Sequence, residues 1–186
     1  MDAFYTENIV TEKYGYNMTI NIYNDPDAQN PFDEWDTLGT LETFCSPSKF
    51  ESFLEELTRS KAAFVTGSTQ YEDYVIYATR ETIFKEYKRK RMSRKLWETV
   101  CNCLYSEYNN LEKWLNGEVF GFVIVDMETE ENIESCWGFY DFNACLEYAK
   151  ETALAYRKPV PAWAKNWMLL PGLTAEQIGN PFLRVA

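Results

Sequence analysis

The chain has 186 residues, 46% of them hydrophobic and 17% aromatic, and carries a formal net charge of −11 at pH 7. That apolar content excludes a disordered acidic chain and predicts a buried core, at a length that suits one domain, or one domain with an appendage. No apolar run is long enough to span a bilayer, and a field this negative repels nucleic-acid phosphates except where cations cluster locally.

The charge is unevenly spread. Residues 1–60 hold 12 acidic and 3 basic side chains, residues 61–116 hold 7 and 10, and residues 117–186 hold 10 and 5. The N-terminus lacks the basic start and apolar stretch of a secretory signal. The five cysteines, Cys45, Cys101, Cys103, Cys136 and Cys145, are odd in number and irregularly spaced. These features predict reduced thiols and a cytoplasmic location.

In chain order, residues 16–24 alternate apolar and polar side chains through Met18, Ile20 and Ile22, the period-2 pattern of a half-buried strand. Residues 25–36 contain two prolines and five acids and predict a long acidic loop. Leu38–Cys45 predicts the returning strand of a hairpin. Ser48 is the expected cap of a helix over 49–59, whose inward face is Phe50, Phe53, Leu54 and Leu57. Strands are expected near 62–66 and 73–79, joined by a turn at Gly67-Ser68-Thr69, and a short helix near 82–87. A long helix over 94–115 follows, capped by Ser93, with Leu96, Val100, Cys103, Leu104, Leu111 and Leu115 as its inward stripe and Gly117 as its stop.

Residues 118–126 predict a strand that turns back through Glu128–Asn132 and returns over 133–140 as a second hairpin. On the returning strand Ile133, Cys136, Trp137, Phe139 and Tyr140 read as packing residues, with Gly138 allowing a close approach. Asp141 caps a helix over 142–156 with Leu146, Ala149 and Ala153 inward. The expected fold is α+β: an antiparallel sheet, with hairpins near 16–45 and 118–140, packed against three to four helices. Residues 1–158 form a single expected domain. Residues 159–186, rich in proline and tryptophan, form a tail that packs on it or on a partner.

The chain has no histidine, which removes the usual general base, the usual partner of a serine or cysteine nucleophile and the commonest zinc ligand. Cys136 has no recognisable base beside it. Cys101 and Cys103, two apart on a helix, point about 200° apart and cannot share an ion unaided. Asp25, Asp27, Gln29, Asp33 and Asp36 fall in a calcium-loop register, yet Asn30 stands where glycine is wanted, Pro31 follows it, and the flanks read as strands. No metal or cofactor is expected. A carboxylate enzyme using Glu118, Asp126 or Glu134 with a divalent ion is the weakest alternative.

Two charged surfaces remain. Asp25, Asp27, Asp33, Glu34 and Asp36, with Phe32 and Trp35 as apolar anchors, read as a partner-binding surface that imitates a phosphate backbone, or as a plain solvated loop. Lys85, Lys88, Arg89, Lys90, Arg91, Arg94 and Lys95 form a basic cluster. It reads as a solvated face, an alternative nucleic-acid site, or a partner for the acidic segment of a second copy in a homodimer.

The stretches Asn24-Asp-Pro-Asp-Ala-Gln-Asn-Pro-Phe-Asp-Glu-Trp-Asp-Thr-Leu-Gly-Thr, Tyr77-Ala-Thr-Arg-Glu-Thr-Ile-Phe-Lys-Glu-Tyr, Leu115-Asn-Gly-Glu-Val-Phe-Gly-Phe-Val-Ile and Glu134-Ser-Cys-Trp-Gly-Phe-Tyr stand in this order. In them the chain resembles a family of small proteins carried by bacteriophages and other mobile elements, over residues 16–150. It departs from that pattern at 45–75 and after Pro159. The resemblance implies a setting and no catalytic residues. Small acidic phage proteins often block restriction or CRISPR enzymes by occupying nucleic-acid sites, so by analogy the expected function is non-enzymatic inhibition of a host complex through a basic groove.

Overall fold

A computed structural model describes residues 2–10 and 17–156. The chain order is β1 (Tyr5–Val10), β2 (Asn17–Asn24), α1 (Pro31–Glu34), β3 (Thr40–Phe44), α2 (Pro47–Ser60), β4 (Ala63–Ser68), β5 (Asp73–Ala78), α3 (Arg80–Glu86), α4 (Arg94–Leu115), β6 (Phe120–Asp126), β7 (Asn132–Phe139) and α5 (Phe142–Ala155). The fold is α+β, with two antiparallel sheets of order β1-β2-β6-β7 and β3-β5-β4. Residues 1–158, read from the sequence as one domain, comprise two compact units. One is built from the described residues up to Tyr23 and from Phe120 to Tyr156, and the other is Asn24–Val119. The predicted tail at 159–186 lies outside the described residues.

In the first unit, β1 pairs with β2 and β6 with β7, both antiparallel. The Met127 N–H donates to the Asn17 carbonyl at 3.0 Å, and past the other ends of the two strands, within the second unit, the Asp25 N–H donates to the Val119 carbonyl at 2.7 Å. β2 and β6 therefore also run antiparallel. Met18, Ile20 and Ile22 of β2, with Phe122 and Ile124 of β6, form one buried face. Cys145, Ala149 and Ala153 of α5 close over it. Their spacing of four, together with small side chains, makes a flat stripe that lets the helix sit close to the large residues of the sheet.

The second unit is three layers deep. β5 is its central strand, Asp-Tyr-Val-Ile-Tyr-Ala, with Tyr74, Val75, Ile76 and Ala78 buried. It reads as a near-continuous apolar run because both faces are covered. Tyr74, Ile76 and Ala78 pack with Val100, Leu104 and Leu111 of α4 and Ile83 of α3. Val75 packs on the other side with Leu57 of α2 and the aromatic group Phe44, Phe53 and Tyr77. Burying each such aliphatic side chain contributes about 1.5–3 kcal/mol.

The structure corrects several expectations. β2 does not form a hairpin with residues 38–45, because β3 pairs with β5 in the other sheet. The hairpin partner of β2 is β1, whose sequence Tyr-Thr-Glu-Asn-Ile-Val has only a weak alternation. Among the described residues there are five helices rather than three to four, since Pro31–Glu34 turns within the acidic segment. Helix α2 starts at Pro47 with Ser46 as its cap residue, so Ser48 lies inside its first turn; proline at the first helical position has the required φ already set. Gly67 lies within β4, and the turn is at Thr69–Glu72, closed by the Thr69 N–H to the Glu72 carbonyl at 2.8 Å.

Gly138 has φ +85° and no atom near its missing Cβ, so it supplies a conformation and not a close approach. The close approach is at Gly121, where a Cβ would collide with the Trp137 ring. Of the expected stripe of α4, Leu96, Val100, Leu104 and Leu111 are buried, Cys103 is half-buried, and Leu115 is exposed. The expected ends of α4 and the cap of α5 are observed. The Ser93 hydroxyl accepts from the Leu96 N–H at 3.1 Å, and Asp141 Oδ1 from the Ala144 N–H at 2.8 Å. Beyond α4, Gly117 at φ +69° allows the Glu118 N–H to reach the Lys113 carbonyl at 2.7 Å.

Candidate functional site

The acidic segment is built onto the second unit by four local devices. Asp25 Oδ1 accepts from the Asp27 N–H at 3.2 Å, a turn closed by a carboxylate on its own backbone. Asn30 Oδ1 accepts from the Phe32 N–H at 3.0 Å and caps α1, with Pro31 in its first turn. The Trp114 indole N–H of α4 donates to the Ala28 carbonyl at 2.8 Å. Beyond α1, the Glu107 carboxylate of α4 accepts from the Leu38 N–H at 2.6 Å and the Gly39 N–H at 2.9 Å. Only glycine fits at position 39, since a Cβ there would lie 2.7 Å from Glu107 Oε2 and 2.9 Å from Leu104 Cδ2.

These devices divide the predicted partner-binding residues. Pro31 is buried and Phe32 packs against Leu104 and its neighbours, so Phe32 anchors the segment to its own core and is not a free apolar anchor. Asp25 is half-buried. Asp27, Asp33, Glu34 and Asp36 are exposed, and Trp35 is 45% exposed beside them. Asp33 and Glu34 lie in the first turn of α1, where the orphan N–H groups of a helix start favour negative charge. No cation occurs between Asn24 and Asp36. The result is an ordered acidic ridge carrying one half-exposed indole.

The backbone over the calcium-loop register does not follow a binding loop. Asn30 and Pro31, at the positions where an ion-binding loop turns sharply, begin a helix instead. Among the described residues no three Asp, Glu, Cys or His side chains lie close enough to hold an ion. The alternative carboxylates have other tasks. Asp126 is buried at the end of β6, and its Oδ1 accepts from the Glu128 N–H at 2.9 Å to shape the β6–β7 turn. Glu118 is exposed where α4 ends, and exposed Glu134 accepts from its neighbour Ser135.

The basic cluster spans the C-terminus of α3, its connection to α4 and the first turn of α4. All seven side chains are exposed. Arg94 Nε meets Glu98 Oε1 at 2.9 Å, and none of the other six has a carboxylate within ion-pair distance among the described residues. Lys88 adopts φ +50°, so that the Arg89 N–H reaches the Phe84 carbonyl at 3.0 Å and closes α3. Lys85 lies in the last turn of α3, where a cation complements the carbonyl end of the helix.

Cys103, Cys136 and Cys145 lie wholly or partly in the packing, while Cys45 and Cys101 are exposed. Cys136 sits opposite Phe122 in the β6–β7 ladder and against the first core. Cys145 is fully buried, and burial first, then the neighbouring Cys136, pushes its thiol up to about 12. Cys103 donates towards Glu107 Oε1 at 3.7 Å; burial and then that carboxylate raise its pKa. Cys101 is on the exposed side of α4, so the two cysteines diverge as their spacing requires.

Sequence reasoning missed Glu107 and Trp114, the two side chains that hold the acidic segment. Neither stands out in a helical stripe, because their partners are backbone groups about 70 and 86 residues away. The Asn30-Pro31 pair was a legible helix start. Comparison with protein-family models, curated proteins and solved structures returns no significant match. Among the described residues, no helix is long and apolar enough to cross a membrane.

Proposed function

We propose that the chain is a non-enzymatic binding protein of a phage or mobile element. It acts in the host cytoplasm and inhibits a nucleic-acid-handling defence complex, of the anti-CRISPR or anti-restriction type, by imitating nucleic-acid charge. The carrying observation is the ordered, cation-free ridge of Asp27, Asp33, Glu34 and Asp36 beside half-exposed Trp35. Fixed carboxylates meet a basic groove with less ordering entropy to lose than a free tail, and an adjacent indole supplies desolvated contact area.

The test is capture from host lysate by the full chain, followed by affinity measurement across salt. Binding is expected to fall steeply with ionic strength and to weaken on combined Asp27→Asn, Asp33→Asn, Glu34→Gln and Asp36→Asn changes. Salt-insensitive capture, or capture indifferent to those four changes, overturns the reading.

A second reading is favoured by the exposed cations Lys85, Lys88, Arg89, Lys90, Arg91 and Lys95 with Arg94, of which only Arg94 meets a carboxylate among the described residues. There the chain is an accessory protein that binds nucleic-acid phosphates through this cluster. A mobility-shift assay separates the two: the mimic leaves polynucleotide unshifted, whereas the binder shifts it and loses the shift when these residues are changed to alanine.

A further inference from the structure

Four strands lie at sheet edges: β1, β7, β3 and β4. The first three are blunted, since β1 carries Glu7, β3 carries Glu42, and β7 carries Glu134 and a broken register. β4, Ala-Phe-Val-Thr-Gly-Ser, has no charge and no proline and pairs regularly with β5 along its whole length. An unprotected edge is a row of unpaired N–H and C=O groups that templates another strand.

The register shows which groups are free. The Thr69 N–H bonds to the Glu72 carbonyl just beyond the β4–β5 ladder. Hydrogen-bonded and non-bonded pairs alternate in an antiparallel ladder, so Gly67, Val65 and Ala63 face β5 while Phe64, Thr66 and Ser68 turn both backbone groups outward. No described residue outside the sheet bonds to those three. All three are exposed, and a cleft of about 350 Å³ lined by Phe64, Val65, Cys101, Leu104 and Tyr105 runs beside them, with Phe64 37% and Tyr105 59% exposed.

We propose that β4 is the contact strand of a symmetric homodimer, in which two copies pair their β4 edges antiparallel about a two-fold axis at Thr66. In that register Thr66 meets the partner's Thr66 and Phe64 meets the partner's Ser68. Every outward N–H and C=O of the three residues then finds a complement, and two three-stranded sheets become one. A second copy fits because the outward set is centred on its middle member and because no like charges face each other across the axis. Thr–Thr pairing across strands is itself favourable. This surface is independent of the acidic ridge and has the opposite salt response. The net charge of −11 opposes self-association, so screening strengthens the dimer while weakening capture of a basic partner.

Sedimentation of the full chain over a range of concentrations and salt tests this, together with hydrogen exchange. The expected result is a concentration-dependent rise to the mass of two chains, favoured by salt, with slowed exchange at the Phe64, Thr66 and Ser68 amides as dimer forms. Thr66→Lys places like charges opposite each other on an exposed site, and Thr66→Pro deletes an N–H to which no other described residue bonds in the monomer. Each is expected to raise the dimer dissociation constant about tenfold or more, Thr66→Lys without lowering the melting temperature at concentrations where the wild type is monomeric. A wild-type chain that stays monomeric at every concentration, a dimer indifferent to Thr66→Lys, or protection of these amides only when a foreign protein is added, overturns the proposal.

Discussion

The Tyr74 hydroxyl on central strand β5 donates a hydrogen bond to the Glu112 carboxylate on α4, and the same ring lies against Gly67 of β4. One side chain thus ties β4 and β5 to the covering helix. Tyr108 stacks on it at 6.3 Å and Tyr105 on Tyr108 at 6.2 Å, extending the tie to the surface of α4.

Removing the hydroxyl tests the tie. Tyr74→Phe leaves Glu112 without its donor and is expected to cost about 1.5–3 kcal/mol by denaturant unfolding at pH 7, the range for hydrogen bonds to charged groups. The pH dependence has a definite sign. Burial first, and then Glu112, raise the Tyr74 pKa above its ordinary value. A raised folded-state pKa gives stability that is complete below the unfolded value near 10 and is lost as pH rises above it. The gap between wild type and Tyr74→Phe is therefore expected to narrow between about pH 10 and pH 12. A gap that widens there contradicts the geometry.

Two glycines under aromatic rings are expected to respond differently to alanine. At Gly67 the new methyl would strike the Tyr74 ring, which Glu112 and Tyr108 hold in place. At Gly121 it would strike Trp137, which is 43% exposed and can swing outward. Overpacking a fixed ring costs about 1–3 kcal/mol, so Gly67→Ala should lower the unfolding midpoint clearly more than Gly121→Ala. Comparison of the two urea transitions checks the order.

Two helices close through lysine in a left-handed conformation, α2 at Lys61 with φ +58° and α3 at Lys88 with φ +50°. Glycine carries no steric penalty there, so Lys61→Gly and Lys88→Gly are each expected to stabilise by roughly 0.5–1 kcal/mol, with Lys→Ala giving no such gain. At Lys88 the experiment has a second readout. A nucleic-acid role for the cluster predicts that Lys88→Gly raises the melting temperature while weakening a mobility shift.

The sequence made some elements legible and hid others for physical reasons. β2, α4 and α5 declare themselves because each buries one face and leaves the other more accessible, so hydropathy follows the backbone period, whereas β6 declares itself as an apolar run with no exposed residue. β1 was missed because it is an edge strand in which Tyr5 and Glu7 share a face with Ile9, and Glu7 is satisfied by Lys150 at 2.9 Å instead of being excluded from that face. β3 was recognised as a strand but given the wrong partner, since alternation states which face is buried and not which strand lies alongside. The acidic ridge was found by charge alone. Its order was hidden because it rests on Glu107 and Trp114, whose partners are remote backbone groups.

The Glu7–Lys150 pair provides an acid-side test in the first unit. The bond from Lys150 holds the Glu7 carboxyl below its usual range. A depressed folded-state pKa gives stability that is present above the unfolded value near 4.3 and is lost as pH falls through the lower folded value. Glu7→Gln is therefore expected to lower the melting temperature slightly at pH 7, and the difference should shrink as the pH falls below about 4.3 and vanish below the lower folded value. Added salt should shrink it at neutral pH, because both side chains are partly solvated.

The last prediction separates the order of the acidic ridge from its charge. Asn30→Ala removes the cap of α1 and changes no charge; it is expected to cost about 1 kcal/mol of stability. Glu107→Gln keeps the shape but offers only one acceptor to the Leu38 and Gly39 N–H groups, and an unpaired buried donor costs about 1–3 kcal/mol. If partner capture depends on a fixed array of carboxylates, Asn30→Ala should weaken it although every acid of the ridge remains, because the ordering cost is moved into the binding step. If capture depends on net charge alone, Asn30→Ala will bind like wild type, while neutralising Asp33 and Glu34 will not. Titration of both variants at two salt concentrations distinguishes the cases: a loss from disorder persists at high salt relative to wild type, whereas a loss from charge shrinks with screening.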